Sequence, residues 1–300
     1  YWLYSRKRSY GCPHSSKTEL IYFHIMFTFI DSLDDLIILD KELSKKYYLG
    51  VDTEFRRTNK ENMKLALLQI NDGEEIYLID SVLIENPEEN CSFLDSSSVI
   101  KIFHSCKEDL EAVYSWTGKK MKNIFDTQLA NSLLGGDFSI SYQSLVKQEL
   151  SIDLEKNETR SNWLRRPLTD SQLKYATLDV EYLIHLYLVQ KEELKTFKKS
   201  DWLEQDVNKL IDNTFEQSIP DLPLERSISK QEEIALLNKF NKIIEDLSNE
   251  HNINSTLFFS KKIQKDFLRS VFLFGIEGAC KNITNWRAEL IRDKLFELVR

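Results

Sequence analysis

The apolar positions of this chain change their period along its length. From Phe27 to Phe125 they fall into short apolar runs separated by turns, as strands do. Phe27-Thr28-Phe29-Ile30 is a short strand, followed by a helix with Asp31 or Ser32 as N-cap and Leu33, Leu36, Ile37, Leu39 and Leu43 as its apolar side. Tyr47 to Phe55, Leu65 to Ile70, Glu75 to Asp80 and Val99 to His104 are further strands, and Ile124-Phe125 is a shorter one. Asn71-Asp72-Gly73 joins two of these runs as a hairpin turn. Helices follow the later runs, through Leu110 and Val113 to Trp116, and from Thr127 to Leu134. A hairpin that gives way to strand–helix alternation predicts a mixed α/β sheet.

From Tyr142 the period becomes helical. Tyr142 to Leu150 is one helix, and Thr169 caps a second that is expected to run to about Lys198. Ile219-Pro220-Asp221-Leu222-Pro223 reads as a linker, and Ser229 to Arg300 as an all-helical unit. The first 25 residues have no period. Arg6, Lys7 and Arg8 precede an apolar run from Leu20 to Ile30 that is too short to span a bilayer, and no small-residue cleavage site follows it. The expected organisation is therefore an extension over 1–25 outside the fold, an α/β domain over 26–198, a helical segment and linker over 199–228, and a helical domain over 229–300. Met26 is the expected natural start.

Composition narrows the function classes. The 42% hydrophobic and 29% charged residues of this 300-residue chain suit an ordinary globular protein. Only 8 Gly and 5 Pro argue against long disordered stretches. A net charge of −8 is not that of a protein gripping nucleic acid by charge alone, although a carboxylate-rich site binds cations before it meets phosphate. Cys12, Cys91, Cys106 and Cys280 form no C-x-x-C pair, which points to a reducing, cytoplasmic setting without structural zinc.

Three short motifs carry the chemistry. Asp52-Thr53-Glu54 ends a strand, so both carboxylates share one face and repel unless a cation lies between them; a solvated strand end is the competing reading. Asp109 follows the fourth of the longer runs, at the sheet edge where strands hand over to helices, and an acid favoured by the helix dipole is the competing reading there. Tyr175 and Asp179 stand four apart on one helix face, as ordinary amphipathic pairs also do.

The order D-x-E, then D, then Y-x-x-x-D is more specific than any of its parts. Together with Leu67-Leu68-Gln69-Ile70, Phe103-His104, Phe125-Asp126-Thr127-Gln128 and Trp163-Leu164-Arg165-Arg166-Pro167-Leu168 it resembles ribonuclease D, of the tyrosine-type DEDD exonucleases, from about Thr28 to Leu188. Asn238 to Val299, with Asn285-Trp286-Arg287, resembles the helicase-and-RNase-D-C-terminal (HRDC) domain, of which one copy fits where ribonuclease D commonly has two. The loop from Arg57 to Met63 departs from the family's usual wording. The resemblance implies a ribonuclease H-like mixed-sheet exonuclease domain followed by a small all-α HRDC-like domain. It implies a metal-dependent 3′–5′ exoribonuclease that trims transfer-RNA precursors and similar RNAs to nucleoside 5′-monophosphates.

It also assigns roles. Asp52, Glu54, Asp109 and Asp179 hold two divalent ions, Mg²⁺ or Mn²⁺, and Tyr175 orients the attacking water. Phe55 is a candidate for stacking on a terminal base, with a core phenylalanine as the alternative. Lys156, Arg160 and Arg166 are candidates for holding phosphates, and Trp163 for contacting substrate. Asp126 and Gln128 support the ligands or position substrate, and His104 is either a substrate contact or a structural histidine. Lys261, Lys262, Lys265 and Arg269 recur at helical spacing, as an RNA-contacting face or as a plain solvated one. The partner is RNA with a free 3′ end, and no membrane is implied. A Werner-type DNA exonuclease and a non-catalytic RNA-binding module are the alternatives.

Overall fold

Residues 27–59, 62–154, 161–215 and 230–299 are described by the structure, a computed structural model. The expected N-terminal extension, the two-proline linker, Lys156 and Arg160 lie outside the described residues. No described helix is long and apolar enough to cross a membrane.

The strand-like runs form one six-stranded mixed sheet. Its strands are β1 (Phe27–Ile30), β2 (Tyr48–Asn59), β3 (Asn62–Asn71), β4 (Ile76–Ile79), β5 (Ile100–Phe103) and β6 (Ile124–Asp126). The spatial order is β1-β4-β3-β2-β5-β6. β2 and β3, and β3 and β4, pair antiparallel, whereas β1, β5 and β6 join in parallel. The turn expected at Asn71-Asp72-Gly73 does join β3 to β4. The Asp72 carboxylate accepts the amides of Glu74 and Glu75, and Gly73 has φ 90°, a value that favours glycine. The β2–β3 hairpin runs further than its apolar residues suggested, because the backbone ladder continues through Arg56↔Lys64 and Arg57↔Met63. Ladder bonds need no apolar side chain, so hydropathy missed that extension.

Helices α1 (Leu33–Leu43), α2 (Ser92–Asp95), α3 (Lys107–Thr117), α4 (Thr127–Leu133) and α5 (Tyr142–Leu150) follow their strands. Ser32 caps α1 by accepting the amide of Asp35. The short α2 had no counterpart in the hydropathy pattern. The single helix expected from Thr169 to about Lys198 is instead two, α6 (Asp170–Glu181) and α7 (Leu183–Thr196). Thr169 caps α6 in a reciprocal capping box with Gln172. Between the two helices, Asn71 Nδ2 donates to the carbonyls of Val180 and Glu181 at 3.1 Å each. The Tyr142 hydroxyl accepts the Tyr182 amide at 3.0 Å. Side chains from elsewhere in the fold thus satisfy the backbone at the break.

The chain divides into two compact units. One holds the described residues up to Thr127 together with Tyr142–Leu188. The other holds Gln128–Ser141 and the described residues from Val189 onward, including α8 (Ser200–Phe215), α9 (Lys230–Glu250), α10 (Ser255–Phe259), α11 (Lys261–Cys280) and α12 (Asn285–Val299). Gln128–Ser141 joins this second unit through Lys199, whose Nζ donates to the carbonyls of Leu133 and Asn252 at 2.6 and 2.9 Å. Trp286 lies at the unit's centre, stacked on Trp202 with ring centroids 4.8 Å apart. Its indole N–H donates to Asp206 at 3.0 Å, and Arg287 pairs with the same carboxylate.

Candidate active site

The motif carboxylates converge at the end of the sheet from which α3 departs. Asp52 and Glu54 point to one face of β2, and Thr53 to the other. α6 packs against β2, β3 and β4 and brings Asp179 to Asp52 and Glu54. One carboxylate oxygen from each of Asp52, Glu54 and Asp179 lies within 4.8 Å of the others, the only such ligand group among the described residues. Asp109 is not in that trio. It is buried on the first turn of α3 and takes a short hydrogen bond from the Thr53 hydroxyl. Thr53, the middle residue of D-x-E, therefore orients the fourth carboxylate, a role that motif spacing alone did not assign.

So many acids in a desolvated space resist ionisation. Burial, then the charges of Asp179, Asp109 and Glu54, holds the Asp52 carboxyl well above the carboxylate range. Glu54 is pushed up to about 9 by burial and by Asp179 and Asp109. Burial also raises Asp109 and Asp179 to about 7. A cluster that repels its own charge is a candidate cation site, and its all-oxygen donor set suits a hard divalent ion.

Tyr175 meets Asp179 as the spacing of four predicts, and their side chains are hydrogen-bonded. Burial and the charges of Asp179, Glu54 and Asp52 raise the phenol above its ordinary value. Trp163 is buried, with its ring centroid 6.0 Å from that of Tyr175 at an interplanar angle of 44°. It packs against the tyrosine.

Arg166 differs from expectation. Its Nε and Nη2 both bond the fully buried Asp80 carboxylate, Nη2 also reaches the Ala66 carbonyl at 2.7 Å, and Nη1 reaches the carbonyls of Trp163 and Arg165 at 2.6 and 3.0 Å. All five guanidinium N–H donors are committed, so this arginine clamps the Trp163 turn to β3 and does not hold a phosphate.

The Asp126 carboxylate accepts the amides of Ser105 and Cys106 at 3.2 and 2.8 Å. The N-cap Cys106 makes no side-chain cap of its own, so Asp126 supplies one from β6 and fixes the helix that carries Asp109. It is 1% exposed, which favours the supporting reading over the substrate-positioning one. His104 takes its structural alternative: Nδ1 is 2.9 Å from the Thr127 hydroxyl, and its ring meets Tyr142 edge-on. Gln128 Nε2 donates to the Ile140 carbonyl at 2.9 Å, within the second unit. Phe55 is half-buried and follows a bulge between Glu54 and Phe55, a device that re-aims side chains at sites. Tyr142 had no role in the sequence reading, yet burial, then the charges of Asp179 and Asp52, raise its hydroxyl above the ordinary phenol value.

Several proteins similar to this chain are nucleases. The family model for 3′–5′ exonucleases matches residues 27–195. A ribonuclease D of Pseudomonas paraeruginosa is 40% identical over 180 residues, which are 60% of this chain and 48% of that protein. The chain spans about half the length of the curated relatives it matches. The crystal structure of Escherichia coli RNase D, described as an exoribonuclease involved in structured RNA processing, aligns with TM-score 0.61 at 23% identity, over 91% of this chain and 74% of that one. Brucella melitensis NrnC with bound Mg²⁺ aligns with TM-score 0.53 at 23% identity, over 62% of this chain and 90% of that one. At such identities the two structures speak for the fold alone.

Proposed function

This chain belongs to the 3′–5′ exonuclease family, and from that premise we propose that it is a metal-dependent exoribonuclease of the ribonuclease D type. It removes nucleotides one at a time from RNA with a free 3′ end and releases nucleoside 5′-monophosphates. Transfer-RNA precursors and other structured RNAs with 3′ tails are its substrate class. The observation that carries this reading is the trio of carboxylate oxygens from Asp52, Glu54 and Asp179 within 4.8 Å of one another.

Asp52, Glu54, Asp109 and Asp179 would hold two divalent ions, Mg²⁺ or Mn²⁺. When bound, such ions lower the pKa of the attacking water and offset charge on the leaving oxygen. The chain's own groups do the rest. Tyr175, kept protonated and tied to Asp179, orients the attacking water as a donor or acceptor of a hydrogen bond. Thr53 and Asp126 hold Asp109 in reach. The half-buried Phe55 is placed beside Glu54 to stack on the terminal base, an interaction worth about 1–3 kcal/mol and indifferent to sequence.

The later helices act as an HRDC-like domain, a reading supported by Asn285-Trp286-Arg287 at the centre of the second unit. Lys261, Lys262 and Lys265 are exposed on α11 and form its RNA-facing side. Arg269 is paired with Glu233 at 3.5 Å and contributes less. The buried free thiols of Cys91, Cys106 and Cys280 fit a reducing compartment, the cytoplasm.

The test is digestion of matched 3′-tailed RNA and DNA with Mg²⁺, with Mn²⁺ and with EDTA. Stepwise release of 5′-monophosphates from RNA, abolished by EDTA, is expected. Full activity in EDTA would refute the metal reading, preference for DNA the substrate reading, and cleavage of circular RNA the exonuclease reading.

A further inference from the structure

One buried polar side chain beside the carboxylates has no role in this mechanism. Gln69 lies in the middle of β3 and is fully buried, and neither Nε2 nor Oε1 has a hydrogen-bond partner among the described residues. A buried amide with both ends unmet is expensive, so it calls for an explanation.

The register identifies its neighbours. Gln69 is the direct cross-strand partner of Asp52 on β2 and of Leu78 on β4. Directly opposed residues in an antiparallel pair project to the same face, with Cβ atoms about 4.5–5.5 Å apart. Along β3, the residues on that same face are Leu67 and Asn71. Leu67 and Leu78 are buried and apolar. Asn71 is already engaged: Nδ2 donates to Val180 and Glu181, and Oδ1 accepts the Gly73 amide at 2.8 Å. Of these four in-face neighbours, Asp52 is the one polar group left within reach.

We propose that Gln69 is a positioning residue for Asp52, its Nε2 donating to the Asp52 carboxylate while that carboxylate holds a divalent cation. A ligating carboxylate is itself oriented by hydrogen bonds from its surroundings, and removal of such a partner typically weakens metal affinity about 10–100-fold. Gln69 supplies that bond from a strand, where the backbone ladder fixes its direction. The proposal rests on the metal reading above and adds a residue to it.

The test compares wild type with Gln69→Leu and Gln69→Met, both close in volume and unable to donate. Each protein is stripped with EDTA, its melting temperature is measured, and Mn²⁺ is titrated by calorimetry and by the manganese electron-spin signal. The stripped variants are expected to melt at or above the wild-type temperature, because the unmet amide is gone. Their Mn²⁺ affinity is expected to fall about 10–100-fold. Wild-type Mn²⁺ affinity in both variants would overturn the role of Gln69 and leave the metal centre standing. So would an affinity loss that tracks a fall in the melting temperature of the stripped protein, which marks general damage. A wild-type protein that binds no Mn²⁺ would overturn the metal reading and this proposal with it.

Discussion

At the scale of single residues, the acidic centre opposes the fold that holds it. Asp109 and Asp179 at about 7 and Glu54 at about 9 all sit above their ordinary values. A carboxyl raised by folding keeps its proton more tightly folded than unfolded. Its contribution is complete below its unfolded value, near 4, and is lost as pH rises through the folded value. In EDTA the protein should therefore lose this part of its stability between about pH 4 and pH 9. A divalent ion needs the deprotonated acids, so the rise in melting temperature on adding Mg²⁺ or Mn²⁺ should be larger at pH 8 than at pH 6. A metal-induced rise independent of pH would contradict the charge assignment. Asp52→Asn and Asp179→Asn, which keep size and remove charge, should each lower kcat by orders of magnitude while RNA affinity stays close to wild type. Near-wild-type turnover in both would remove these residues from the centre. The meeting of Asp52, Glu54 and Asp179, with Tyr175 bonded to Asp179, was legible because each residue sits in a short motif. Arg166 and Asp126 were misread or left open because what decides them is a partner distant in sequence: Asp80 is 86 residues from Arg166, and Cys106 is 20 from Asp126.

At the scale of elements, the break between α6 and α7 was the feature least legible in the sequence. Asp170 to Thr196 has no Pro or Gly, so local propensity offers no reason to stop at Tyr182. The reason is tertiary: Asn71 and Tyr142 take over the backbone groups there. Gly50 makes the approach possible, since a Cβ at that position would stand 3.1 Å from Leu183 Cβ and 3.3 Å from the Val180 carbonyl oxygen. The apolar cores of the strands and the turn at Asn71-Asp72-Gly73, by contrast, were legible from short apolar runs and turn chemistry. The break ends α6 two residues after Asp179, so the elements that hold the break also hold Asp179. Tyr142→Phe keeps the ring against His104 and removes the acceptor for the Tyr182 amide. Leaving that donor unmet should cost about 1–3 kcal/mol, read as a lower urea midpoint at unchanged slope. A midpoint equal to wild type would show that the break stands without the tyrosine.

At the scale of the whole molecule, charge bears on how the proposed RNA substrate would be held. A chain of net charge −8 has little long-range attraction for a polyanion, so affinity for the proposed substrate must come chiefly from a few local cations on the surface. Lys261, Lys262 and Lys265 open α11, all exposed, beside the exposed Ile263 and Asp266. They are at the helix N-terminus, where the dipole does not favour cations, so they gain nothing locally from standing there. Their reversal together, Lys261→Glu, Lys262→Glu and Lys265→Glu, should leave folding unchanged, since none packs in a core. If they neutralise phosphates, RNA binding should weaken. The slope of log affinity against log salt should become shallower by about 0.7 for each single-strand phosphate that is no longer neutralised. The kcat on a saturating short RNA should not move, because the carboxylates and Tyr175 are untouched. Binding isotherms from about 50 to 200 mM salt for both proteins decide the matter. Superimposable slopes would mean that these lysines form a plain solvated face, and that the exonuclease centre grips its substrate without them.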